Sequence, residues 1–147
     1  MKRVLQTTLI AGAAASLAMM PVGLAFRAAG LRVGYYGPKF AALYIAEPSR
    51  LILIAQHFVL GWLSALPLVL LIARTHPRWS PLWLGALYGA AYYIAVNSLA
   101  LPLYFHDPAP WTLGAAVILP SLIVHLVFGV MVGVFGGRAF RAGASPS

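Results

Sequence analysis

Residues 51–73 read LILIAQHFVLGWLSALPLVLLIA, an apolar run enclosed by Arg50 and Arg74 with no Asp, Glu, Lys or Arg inside it. A hydrocarbon core of about 30 Å takes about 20 helical residues to cross, so this run has the length of a membrane span. Three further runs share its character: Val4–Phe26, closed by Arg27; Leu82–Leu103, opened by Pro81; and Trp111–Phe135, followed by Arg138 and Arg141. None of them holds a charged residue. Long unbroken apolar runs without strict alternation predict helices rather than barrel strands. The expected fold is an all-α membrane protein, a four-transmembrane-helix bundle forming one integral domain over residues 1–147, with helices at about 4–26, 51–73, 82–103 and 111–135.

The composition agrees. Of 147 residues, 62% are hydrophobic and 8% charged, too few charges to clothe a soluble globule and too much apolar surface for a disordered chain. The absence of cysteine removes thiolate metal sites, iron–sulfur clusters, Cys nucleophiles and redox disulfides. The net charge of +8 raises the question of nucleic acid. The basic residues stand singly or in pairs at the ends of apolar runs, however, where they flank a bilayer and favour anionic headgroups. No basic face exists, so the partner expected is the lipid bilayer and not a nucleic acid.

Met1-Lys2-Arg3 and Ser16-Leu17-Ala18 have features of a signal peptide. The apolar run continues to Phe26, which predicts a retained helix. Orientation follows from Lys and Arg. The amino end, the loop 74–81 and the carboxyl tail carry six of them, and the loops 27–50 and 104–110 carry four. The bias places both termini in the cytoplasm. Arg27, Arg32, Lys39 and Arg50 run against it, all in the first loop. Trp79 and Trp83 mark one interface, and Tyr104, Phe105 and Trp111 the other. Within the first loop Pro38 suits the start of a short surface helix, with Phe40, Leu43 and Tyr44 on its lipid side and Glu47-Pro48-Ser49 ending it.

Residues three and four apart share a helix face. Each span then shows one small or polar face: Thr8, Gly12, Ser16; His57, Gly61, Ser64; Gly85, Gly89, Tyr93, Asn97; and Ser121, His125, Gly129, Gly133, Gly137. Helix backbones approach closely over small residues, so these faces belong inside the bundle. Gly129, Gly133 and Gly137 form the longest ridge; a homodimer or another membrane protein is the partner it would serve if it faced outward.

An ionisable group inside a membrane is by default a functional candidate. At a rise of about 1.5 Å per residue, His57 and Asn97 each lie roughly 9 Å below the outer boundary, and His125 roughly 21 Å. That predicts a His57–Asn97 hydrogen bond, with His106, Asp107 and Glu47 above it near the outer mouth. A bis-His haem needs both imidazoles at one depth, and the difference of about 12 Å argues against it. No ligand spacing such as HExxH supports a metal at His57, His106 and Asp107. No cofactor or metal is expected. Near His125, Pro120 frees the carbonyl of Ala116, and Ser121 and His125 can satisfy polar groups around the kink.

Function classes narrow by what the spans lack. Small multidrug antiporters depend on a buried carboxylate, and no span has one. No span has a polar stripe from end to end, as a pore needs. Serine chemistry needs Ser, His and an acid together; Ser64 lies about 10 Å along the axis from His57, and no acid sits near Ser121 and His125. No catalytic residue is expected. The leading expectation is a non-enzymatic scaffold or accessory subunit packing through its glycine faces; the alternative is a handler or transporter of a small molecule or ion using His57, Asn97, His125, Tyr93, His106 and Asp107.

From His57 onward the chain resembles the YagU-type bacterial inner-membrane proteins, a family of unknown function. The pieces are Gln56-His57-Phe58-Val59, then Trp83-Leu84-Gly85-Ala86-Leu87-Tyr88-Gly89-Ala90. Asn97 with Leu101-Pro102-Leu103 follows, then Pro108-Ala109-Pro110-Trp111 and His125-Leu126-Val127-Phe128-Gly129. The first loop is shorter than that family leads one to expect. The resemblance implies a multi-pass protein of the bacterial inner membrane in which His57, Asn97 and His125 share one framework. It implies no activity.

Overall fold

The computed structural model describes residues 1–75 and 78–141, and all its regular structure is helical. Helix α1 spans Lys2–Ala28, the short α2 Tyr36–Ala41, α3 Arg50–Thr75, α4 Pro81–Phe105, the short α5 Pro110–Leu113 and α6 Ala115–Arg141. Four of them, α1, α3, α4 and α6, are long and apolar enough to cross a membrane. Helices α1, α3 and α6 run a little past the C-terminal ends of the apolar stretches that announced them, because the flanking cations take part in their last turns. Arg27, Arg74, Arg138 and Arg141 stand in C-terminal turns, where a cation meets the negative end of the helix dipole.

The stops are local chemistry. At the end of α1, Gly30 adopts φ +75°, the Leu31 N–H bonds the Phe26 carbonyl at 2.9 Å and the Gly30 N–H bonds that of Arg27 at 3.0 Å. Together these satisfy two orphan carbonyls in a Schellman motif. Helix α4 is α-helical to Tyr92, π-helical over Tyr93–Ala100 and α-helical again over Leu101–Phe105. The wide segment leads directly into Pro102, which has no N–H and whose ring would strike the carbonyl four residues back. Opening the turn, with the Leu101 N–H bonding Val96, relieves that clash.

Two expectations need correction. The fourth span does not run unbroken from Trp111 to Phe135. Gly114 at φ +89° separates α5 from α6, and the long helix then extends to Arg141. The first-loop helix begins at Tyr36 rather than Pro38 and ends at Ala41, well before Glu47.

Helix α6 is the hub. It packs on α1, α3 and α4, and α1 also packs along α3, while α3 and α4 barely meet. The buried core lies toward the end that carries both termini: Ala11 and Ala15 of α1, Leu68 and Ile72 of α3, Phe128 and Val132 of α6. Arg3 over the Phe140 ring at 5.4 Å closes that end. The α4–α6 seam is made of glycine. A Cβ on Gly129 would lie 2.9 Å from the Gly89 nitrogen, one on Gly85 2.8 Å from the Gly129 carbonyl carbon, and one on Gly137 2.8 Å from Pro81 Cγ. The ridge Gly129-Gly133-Gly137 is thus covered by Pro81, Gly85 and Gly89 of the same chain. Outward, Leu5, Leu63, Leu87 and Leu103 are exposed, a surface suited to lipid rather than water.

Candidate functional site

Toward the end carrying the first and third connections, the four long helices part around a cavity of about 550 Å³. Its wall takes Ser16 from α1, His57 from α3, Tyr93 and Asn97 from α4 and His125 from α6; the first loop (32–38 and 40) covers it. The π-helical turns are what aim Tyr93 and Asn97: an extra residue per turn rotates the face that follows, and such turns recur at functional sites.

Here the expected pairing is overturned. Asn97 bonds His125, not His57: its Nδ2 lies 2.8 Å from His125 Nε2. The fourth long helix begins at Ala115, four residues past Trp111. Counted from the observed helix ends, His57 is seven residues past Arg50, Asn97 eight before Phe105 and His125 ten past Ala115, or about 10, 12 and 15 Å. The two histidines thus differ by only about 5 Å in depth, and it is the hydrogen bonds of His125 that oppose a bond to iron. His125 Nδ1 lies 2.6 Å from the Ser121 carbonyl, which can only accept, so Nδ1 carries the proton. Nε2 then accepts from Asn97, and neither nitrogen is left for a metal. Ser121 contributes its carbonyl rather than its hydroxyl.

His57 is free by comparison. Its Nε2 lies 3.1 Å from the Ser16 carbonyl and must donate, which leaves the Nδ1 lone pair available. Around these groups Tyr92 stacks on His125 at 5.6 Å and accepts from Ser64 Oγ at 3.0 Å, and Tyr88 donates to the Ser64 carbonyl at 2.6 Å. Two hydroxyls on the cavity wall have no partner among the described residues: Ser16 Oγ and Tyr93 Oη, of residues 0% and 5% exposed.

His106 and Asp107 are not part of this constellation. His106 is exposed and caps α4 at φ 54°, a left-handed position that a helix C-terminus usually gives to Gly or Asn. Asp107 binds Lys39 Nζ through both oxygens, at 2.7 and 2.6 Å, and Tyr36 stacks on Phe105 at 5.8 Å. These contacts strap α2 across the end of α4 and over the cavity. The hydrogen bond to Asp107 raises the Lys39 pKa above its ordinary value. Burial, then the Asp107 charge, raises that of Tyr36. No group of three His, Cys, Asp or Glu that suits a metal occurs among the described residues.

Three site features went unread in the sequence. Gln56 is buried, bonds Tyr44 Oη and donates to the Gly37 carbonyl at 2.9 Å, which anchors the first loop to α3; an amide in an apolar run was the available signal. The Tyr44 hydroxyl is thereby tied to α3, while the residue stays about half exposed, at 53%. Arg27 and Arg32 line the cavity, although they read as flanking charges. No family model, curated protein or solved structure matches this chain.

Proposed function

We propose that this chain is a multi-pass protein of a bacterial inner membrane, with both termini cytoplasmic, that binds a small molecule in the cavity between its helices without transforming it. The observation that carries the reading is the convergence on one 550 Å³ space of groups from all four long helices, among them His57, whose Nδ1 lone pair is unused. That volume falls within the roughly 300–1,000 Å³ of small-ligand sites, and a mostly apolar wall with a few convergent polar groups is their usual make-up. The resemblance to YagU-type proteins and the Lys and Arg bias support the location and orientation. A scaffold or accessory subunit docking through glycine is the competing reading, and the faces it would offer are covered by the chain's own helices.

The test is native mass after gentle extraction into nanodiscs. A monomer of 15.7 kDa carrying a small-molecule adduct is the expected result. A bare chain, or a homodimer or tight protein complex without an adduct, overturns the reading. The chain has no cysteine, so Pro108→Cys reports orientation: labelling by an impermeant maleimide from the periplasm is expected, and labelling from the cytoplasm alone inverts the topology.

A further inference from the structure

The cavity is chemically polarised along its length. Arg27 and Arg32 stand at its mouth, and no carboxylate lines it among the described residues. Neither guanidinium has an acidic partner among those residues. The acid of the neighbouring connection, Asp107, is fully engaged by Lys39. Arg32 rests over the Tyr35 ring at 3.5 Å, which fixes the plane of its guanidinium and leaves its N–H edge free. Arg27 reaches over Gly34, whose φ of +69° favours glycine and whose missing side chain leaves room for the guanidinium. Further in, the wall is apolar, with Met19, Leu60, Val124 and Phe128. Ser16, at the inner end, is eleven residues before Arg27, about 16 Å along α1.

Resting on the reading of this cavity as a ligand site, we propose that its ligand is a single-chain anionic amphiphile. A carboxylate or phosphate monoester head meets Arg27 and Arg32, and one aliphatic chain runs inward along the apolar wall. The unbalanced positive charge excludes a cationic ligand, and the apolar wall excludes a small polar anion. The same feature accounts for two cations placed against the orientation bias of the rest of the chain: they serve the ligand's head as well as the interface.

The full chain in phosphatidylcholine nanodiscs tests this by native mass spectrometry with four probes: dodecyl phosphate, dodecanol, dodecyltrimethylammonium and inorganic phosphate. Dodecyl phosphate is expected to bind at least ten-fold more tightly than the other three. In the Arg27→Gln/Arg32→Gln variant its affinity should fall to that of dodecanol, whereas Lys2→Gln/Arg3→Gln, at the opposite end of the bundle, keeps the preference. Equal binding of dodecanol, tighter binding of the cation, or a preference that survives loss of both arginines overturns the anionic head. Inorganic phosphate binding as tightly as dodecyl phosphate overturns the chain. If no amphiphile binds, the ligand-site reading fails with it; if only the charge order is wrong, that reading stands and this inference alone falls.

Discussion

The two ends of this bundle use the same helices in opposite ways. Toward the termini, glycine lets α4 and α6 touch backbone to backbone, and Leu68, Ile72, Phe128 and Val132 fill what remains. Toward the connections the same four helices separate, and polar groups take the place of methyls on their inner faces. Close packing of small residues drives helix association where lipid removes the hydrophobic contrast. The tight end can therefore hold the fold alone and free the other end from packing. An open end that carries unpaired hydroxyls is a cost the fold tolerates only because the closed end is secure.

The sharpest way to break this contrast is to put the same side chain into one glycine of each end. Gly129→Leu drives a side chain into Gly85 and Gly89. Overpacking against backbone that cannot yield is expected to cost about 3 kcal/mol or more, read as a large fall in the unfolding midpoint in nanodiscs. Gly23, which lines the cavity, has nothing within 4 Å of a Cβ. Gly23→Leu should hold or raise the midpoint, since leaving glycine gains up to about 1 kcal/mol in a helix, and should block dodecyl phosphate. Equal damage at both sites would mean that the open end is packed after all.

Next in size is the Asn97–His125 bond. Asn97→Leu removes the donor to His125 Nε2 and leaves a half-buried acceptor unpaired, for about 1–3 kcal/mol. Thermal unfolding measures it, and no change would mean that water already serves His125. Tyr93→Phe is the counterpart: its hydroxyl has no protein partner, so its removal is expected to be neutral or to stabilise by up to about 1 kcal/mol. A clear loss of stability would show that the hydroxyl is engaged in the empty protein.

These residues also mark how far the sequence could be read. The four long helices were legible because length, apolarity and flanking charge are local properties. So were the inward faces, since Thr8, Gly12 and Ser16, or Gly85 and Gly89, repeat at helical spacing and are buried. His57, Tyr93, Asn97 and His125 could be read as polar groups on inward helix faces, although the depths counted from the sequence set His125 apart from the others. Their pairing was not legible. It depends on Gly114 restarting the last helix and on π-helical turns before Pro102. Arg27 and Arg32 were visible as exceptions to the charge bias, but a flanking charge and a cavity mouth look alike until the loop is folded. His106, a good ligand by residue type, is a helix cap by backbone.

The smallest expected effect concerns the strap between the ends of α2 and α4. Lys39 has its pKa raised above the ordinary 10.5, first by its hydrogen bond to Asp107. A cation stabilised in the folded state contributes fully below the unfolded pKa, and its contribution is lost as pH rises through the folded one. The strap is therefore whole from neutral pH to about 10.5 and loosens only above it. A spin label on Ala42→Cys, exposed just past α2, should stay restrained through that range and gain mobility beyond it. Lys39→Met should show the mobile spectrum at every pH, with the unfolding midpoint almost unchanged, because the pair is partly solvated, at 33% and 15% side-chain exposure, and such pairs add little to stability. If the label is equally restrained in Lys39→Met, the stacking of Tyr36 on Phe105 and the Gln56 bonds hold the cover by themselves. The cavity would then be closed by packing at the end of the molecule where packing is otherwise absent, and the division between the two ends would lose its outermost element.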